Sequence, residues 1–181
     1  TGLLRYAHMK HAVSIFGLSN SVGHIDRAKI LCAIKKIPAE LYALDYKALR
    51  HFARKFDAIT EVEVRESYGP RHQREAFELC HHILKPGRRF ATQNIVTDRT
   101  EYEGNRFIDK HIFPGAVMNT VKNILHASKD FFHVAGPMVN MTDSYVHTLE
   151  VWNALRKKAR GERKFDNLGL DEFFHRIWDV Y

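Results

Sequence analysis

Apolar positions recur at helical spacing in LLRYAHMKHA, residues 3–12, with no Gly or Pro after Gly2, which predicts a helix from the first residues onward. In AVSIFGLSNS, residues 12–21, the period changes: a short β-branched and aromatic run closes on Gly17 and polar turn residues. That is the pattern of a buried strand with a functional loop at its C-terminal end. IDRAKILCAIKKI, residues 25–37, returns to helical period, and Pro38 breaks it. AELYALDY, residues 39–46, predicts a second strand and FDAITEVEV, residues 56–64, a third. QREAFELCHHIL, residues 73–84, predicts a helix stopped by Lys85-Pro86-Gly87, and RRFATQNIV, residues 88–96, a fourth strand.

Helices and strands alternating over short connections predict an α/β layer structure with a mostly parallel sheet and right-handed crossovers. Ligands of such sheets sit at the C-terminal ends of the strands. After about residue 100 the pattern becomes helical and rich in aromatics, in IFPGAVMNTVKNILHASKDFF and SYVHTLEVWNALRKKA. At 181 residues the chain is expected to form one domain, with an α/β core over about 1–100 and a helical segment over about 101–160.

Composition narrows the partners. The net charge of +7 and isoelectric point near 9.5 suit either an acidic partner or surface, such as anionic lipid, or simply a basic solvated surface. No basic and aromatic interleaving or groove-reading motif supports nucleic acid. The longest apolar runs fall short of the ~20 residues of a membrane span, and no signal peptide is evident. A cytoplasmic location follows as the expectation, with Cys32 and Cys80 as reduced thiols. The pairs His8/His11 and His81/His82 lack a carboxylate or cysteine to complete a metal site. KKARGERK, residues 157–164, reads as a solvated helix end.

Strand ends carry the candidate chemistry. A carboxylate there can accept hydrogen bonds from vicinal ribose hydroxyls. The first strand ends without an acid, whereas the second offers Asp45-Tyr46, able to hold an adenine by its amino group and face. An Asp closing a strand is equally a turn residue. Glu66 follows the third strand, either as a functional carboxylate or as a solvated loop residue.

VSIFGLSNS, LDYKAL before KFDAI, ES-x-GP, ILKPGRRF, DRTEYEGNRFIDKHIFPG and SYVHTLEVW, in that order, resemble the cyclopropane-fatty-acyl-phospholipid synthase and mycolic acid cyclopropane synthase family. The resemblance implies a Rossmann-like class I methyltransferase fold, lacking the family's first strand here, with a helical lipid-pocket insertion. It implies transfer of a methyl or methylene group from S-adenosylmethionine to unsaturated phospholipid acyl chains at an anionic membrane surface, the protein being peripheral to its inner face. A bicarbonate base would be held by Glu66 and Tyr145, with Gln93 in the place of the family's histidine.

On the cofactor side, the resemblance implies that Gly17, Leu18 and Ser19 border the methionine and ribose, and Asp45 and Tyr46 the adenine. His24 stands where glutamine is usual, and Gly2 is what remains of the glycine-rich loop. Phe107, Phe113, Pro114 and Gly115 belong to the block beside the acyl-chain pocket. The chain departs from the family at Gln93 and at Glu61, Glu63 and Arg65, which stand where small and aromatic residues line the site. The alternative expectation is therefore an inactive or fragmentary paralogue acting as a binding or scaffold protein.

Overall fold

A computed structural model describes residues 2–11, 13–98 and 105–181. Residues 99–104, within one of the blocks that carry the resemblance, lie outside it. Helix α1 (Gly2–His11) leads into strand β1 (Ile15–Ser19), helix α2 (Val22–Ile34) and strand β2 (Ala39–Ala43). A 3-10 turn (Tyr46–His51), strand β3 (Phe56–Val62) and a second 3-10 turn (Arg65–Ser67) precede helix α3 (Gly69–Ile83) and strand β4 (Leu84–Gln93). Beyond these lie α4 (Arg106–His111), α5 (Val121–Ser128), α6 (Thr142–Gly161) and α7 (Glu172–Val180).

The α/β expectation holds, and both strand pairs are parallel. β1 runs beside β2 from Ile15↔Ala39 to Ser19↔Ala43, and β3 beside β4 from Ala58↔Arg89 to Val62↔Gln93. Among the described residues no strand hydrogen-bonds one pair to the other. Side chains join them instead: the Phe16 ring of β1 lies 5.0 Å from Phe56 and 5.2 Å from Phe52, centre to centre. The Arg54 guanidinium covers Phe16 and Phe56 at 5.8 and 5.5 Å.

Each pair has its own apolar cluster. Ile15 and Leu41 pack on Ile25, Ala28 and Cys32 of α2 and on Ile37. Leu18, Phe56 and Ile59 pack on Leu49 and on Leu79 and Ile83 of α3. Ser21 caps α2 by accepting from the His24 N–H, and Asn105, Thr120 and Asp171 cap α4, α5 and α7 in the same way.

Three boundaries differ from the sequence reading. Lys85-Pro86-Gly87 ends α3 but lies within β4, where the register jumps between Phe56↔Leu84 and Ala58↔Arg89. A bulge there accommodates both the missing N–H of Pro86 and the positive φ of Gly87 (+71°). β2 stops at Ala43, leaving Asp45 to cap the following turn. In 112–132 only Val121–Ser128 is helical, since Pro114 and the left-handed Gly115 (φ +76°) break the earlier part. Among the described residues no helix is long and apolar enough to cross a membrane.

Candidate active site

β3 ends at Val62, and Glu63 turns into the left-handed region with φ +51°. Its N–H still donates to the Gln93 carbonyl at 2.9 Å, and its carboxylate accepts from Gln93 Nε2 at 3.2 Å. Glu63 and Gln93 thus clamp the ends of β3 and β4 together. The turn that follows buries Glu66, which keeps 7% of its surface exposed. Its Oε1 accepts from the Ile95 N–H at 2.5 Å, and its carbonyl accepts from Val117 N–H at 2.8 Å. Oε2 is buried with no hydrogen-bond partner among the described residues. Burial raises the Glu66 carboxyl above the ordinary glutamate range, and the Glu63 charge adds to the effect.

Arg65 points the other way. Its side chain is fully buried, 3.4 Å from the centre of the Phe77 ring and paired with Glu61 at 2.8 Å. Glu61 also accepts from Tyr68 and Cys80, whose pKa values are pushed up by burial and by the Glu61 charge. The Arg65 carbonyl accepts from Gln73 Nε2 at 2.7 Å and Asn119 Nδ2 at 3.5 Å, fixing the turn that carries Glu66. Of the three charges expected to line the site, Glu61 and Arg65 satisfy each other inside the fold; Glu63 stands with Glu66 at the strand end.

Tyr145, in the first turn of α6, reaches the same place. Its phenol is pushed far up, first by burial and then by its hydrogen bond with Tyr181, with the charges of Glu63 and Glu66 adding to both. The fold therefore brings Glu66, Gln93 and Tyr145 together and adds Glu63 and Tyr181. The Tyr181 ring lies 6.1 Å from Phe113 and 5.6 Å from Trp178.

The residues expected on the cofactor side lie at or near the ends of β1 and β2, in mixed roles. Gly17 is tightly enclosed: a Cβ there would sit 2.9 Å from Leu41 Cδ2. Leu18 packs into the α3 cluster, and Ser19 Oγ accepts from the Ser21 N–H at 3.2 Å. His24 is exposed in the first turn of α2, and Gly2 opens α1. Asp45 is exposed, its Oδ1 accepting from the Lys47 N–H at 2.9 Å. Tyr46 is half-buried against Tyr68 at 4.4 Å, and its hydroxyl donates to Glu75 at 3.4 Å. Burial and the Glu75 charge push the Tyr46 phenol up to about 12. Tyr68 thus links the Asp45–Tyr46 end to the Glu61–Arg65 network beneath Glu66.

Of the residues expected beside an acyl pocket, Phe107 packs on His111 at 5.5 Å, which in turn meets Phe173 at 5.6 Å. Phe113, Pro114 and Gly115 are exposed in a turn where Ala116 N–H donates to the Phe113 carbonyl at 3.1 Å. A groove of about 440 Å³ between α6 and α7 escaped the sequence reading; Val146, Leu149, Trp152, Trp178 and Tyr181 line it. The apolar residues of SYVHTLEVW were its visible signal, but the partner helix was not legible. Among the described residues no group of three or more His, Cys, Asp or Glu is placed to hold a metal ion.

Comparison with known proteins gives these features a context. The cyclopropane-fatty-acyl-phospholipid synthase of Escherichia coli (strain K12) is 27% identical over 151 residues, which is 83% of this chain and 38% of that protein. The tuberculostearic acid methyltransferase UfaA1 of Mycobacterium tuberculosis is 26% identical over 133 residues, 70% of this chain and 30% of the relative. The chain thus spans well under half the length of these relatives. The cyclopropane synthase MmaA2 from Mycobacterium tuberculosis superposes with a TM-score of 0.80 at 17% identity, covering 98% of this chain and 66% of that one. Mycolic acid cyclopropane synthase CmaA1, solved complexed with SAH and CTAB, gives 0.80 at 18% identity, covering 97% and 65%. These likenesses show the fold, a cyclopropane synthase arrangement with small sheets. The family model for mycolic acid cyclopropane synthetase matches residues 1–181, and the chain belongs to that family.

Proposed function

We propose that the protein transfers a methyl or methylene group from S-adenosylmethionine to the double bond of an unsaturated phospholipid acyl chain. The observation that carries this reading is Glu66: a buried carboxylate at the C-terminal end of a parallel strand, one oxygen held by Ile95 N–H and the other without a partner among the described residues, its charge reaching the Tyr145 phenol. Membership of the cyclopropane synthetase family and the SAH-bound relative support the choice of cofactor.

The residues present suit that cofactor at the polar end of β2. Asp45 offers an exposed carboxylate for the adenine amino group, and the half-buried Tyr46 ring a face for the adenine. S-adenosylmethionine supplies an electrophilic methyl carbon. An alkene is a weak nucleophile, so the chain's part is to align it and exclude water. Phe113 and Tyr181 present aromatic faces near Tyr145, where they would favour positive charge on the acyl chain. Bicarbonate fits poorly, because one N–H of the Gln93 amide is engaged by Glu63 and the charge of that carboxylate opposes a second anion; no step is routed through it.

Net charge +7 and exposed apolar side chains, among them Met9 of α1 and Trp152 and Leu155 of α6, favour peripheral contact with an anionic membrane surface. The second reading is a binding or scaffold protein that keeps the fold without the activity. Its supporting observation is that Gly17 and Leu18, expected beside the cofactor, are consumed by packing.

Calorimetric titration of the folded chain with S-adenosylmethionine tests the proposal, followed by incubation with unsaturated phospholipid vesicles. Saturable binding and a mass gain of 14 units in the acyl chains, as expected when a methyl group is added and one proton is lost, would bear it out. A folded chain that does neither favours the scaffold.

A further inference from the structure

The end of β3 carries an oxyanion of its own. Glu63 is held on three counts: its backbone sits at φ +51°, its N–H donates to the Gln93 carbonyl, and its carboxylate accepts from Gln93 Nε2. A non-glycine residue keeps a left-handed conformation only where its surroundings fix it, and such positions cluster at functional sites. Two residues beyond Gln93, the Ile95 N–H holds the Glu66 carboxylate. The two carboxylates therefore hang from one short segment leaving β4, and the charge of Glu63 reaches both Glu66 and Tyr145.

A bound bicarbonate would need neutral or cationic donors at this place. Gln93 is the one side chain of the expected trio with N–H groups to offer, and the Glu63 carboxylate already takes one of the two and sets its own charge beside the other. What remains is the unpartnered Glu66 Oε2 and the Tyr145 hydroxyl, flanked by the Glu63 carboxylate. A further anion entering there meets like charge in a partly desolvated site.

We propose that the Glu63 carboxylate, seated on the Gln93 amide, takes the place of a bound oxyanion and serves as the base of the reaction. This rests on the methyl-transfer reading above. As the bond between sulfur and the methyl carbon breaks, that carbon joins one alkene carbon and leaves the other electron-deficient. A Glu63 oxygen takes a proton from the transferred carbon. The electron pair of that C–H bond closes onto the electron-deficient carbon, completing a three-membered ring, and protonated Glu63 returns its proton to water. Burial raises the Glu66 carboxyl, which lessens its repulsion of the Glu63 carboxylate.

The test compares bicarbonate affinity, read by 13C NMR titration with labelled bicarbonate, in the wild-type chain, Glu63→Gln and Glu63→Gly. Glycine accepts the φ of this position, so the second variant folds even if the first does not. Removing the resident charge and freeing the Gln93 amide should tighten bicarbonate binding at least about tenfold in either variant. Equal affinity in wild type and variants, whether all bind or none does, overturns the proposal.

Vesicles of unsaturated phosphatidylglycerol with labelled S-adenosylmethionine supply a second reading. Wild-type turnover unchanged in bicarbonate-free buffer and reduced about 100-fold in Glu63→Gln is expected of a general base. Turnover that requires bicarbonate overturns the proposal. A wild-type chain that turns over under neither condition refutes the methyl-transfer reading itself, while the affinity comparison still decides whether Glu63 holds the oxyanion's place.

Discussion

The guanidinium of Arg65 lies over the Phe77 ring, 3.4 Å from its centre, and meets Glu61 at 2.8 Å with no contact with solvent. Removing one partner leaves a buried charge without compensation, at a cost of about 3–5 kcal/mol. Arg65→Met should therefore lower stability by about that amount in urea unfolding. Arg65→Met with Glu61→Gln should recover a large part of it, since the pair as a whole can be replaced by neutral groups at little cost. A double variant no more stable than Arg65→Met would show that the aromatic contact, not the ion pair, dominates.

Glu66 sets a pH dependence. Its folded carboxyl titrates above the ordinary value of 4.5, so folding favours the protonated form. Stability from this group is fully present below that value and is lost as pH rises through the raised folded value. Thermal melts from pH 4 upward should show this loss in the wild type and not in Glu66→Gln. A variant with the wild-type profile would remove Glu66 as the titrating group.

Gly17→Ala forces a Cβ to within 2.9 Å of Leu41 Cδ2 in the α2 cluster. Rotation of the leucine end relieves part of the clash, and the expected loss is about 1 kcal/mol, at the low end for overpacking. Leu41→Val in the same chain should restore part of it, as followed by the unfolding midpoint. Full wild-type stability in Gly17→Ala would show that the enclosure yields freely.

Tyr46→Phe removes one hydroxyl whose partner is Glu75, a loss of about 1 kcal/mol in stability. If the ring faces the adenine, Tyr46→Phe should leave affinity for S-adenosylmethionine within about twofold while Tyr46→Ala weakens it about tenfold or more, since a ring contact contributes ~1 kcal/mol or above. Equal affinities in calorimetry would place the adenine elsewhere.

The strands and the helices between them were legible because period-2 and period-3.6 patterns survive in short segments such as IFGLS and QREAFELCHHI. The bulge at Lys85–Arg88 was not, because Pro and Gly in sequence signal an interruption and only the partner strand shows that pairing resumes. Arg65 misled for a related reason. The resemblance puts it among the positions that line the site, whereas Phe77, Glu61 and Gln73, brought in by α3 and β3, make a buried place for it inside the fold. Glu66, Gln93 and Tyr145 were named by resemblance; the fold hydrogen-bonds Gln93 to Glu63, whose charge reaches both Glu66 and Tyr145. The engagement of Gln93 by Glu63 depends on the parallel register Val62↔Gln93, which single-chain spacing does not contain.

The Phe16–Phe56 contact has a mechanical side. Asp45 follows β2 whereas Glu66 follows β3, so the two ends of the proposed site belong to strand pairs joined by rings rather than by a backbone ladder. Aromatic contacts are short-ranged but tolerant of angle, unlike a row of amide hydrogen bonds. The separation of Asp45 and Glu66 is thus set by side-chain contacts, those of Phe16, Leu18 and Tyr46 among them, and not by a backbone ladder. A ligand spanning both would act as a brace, and part of its binding free energy would be absorbed in setting the joint before any chemistry begins.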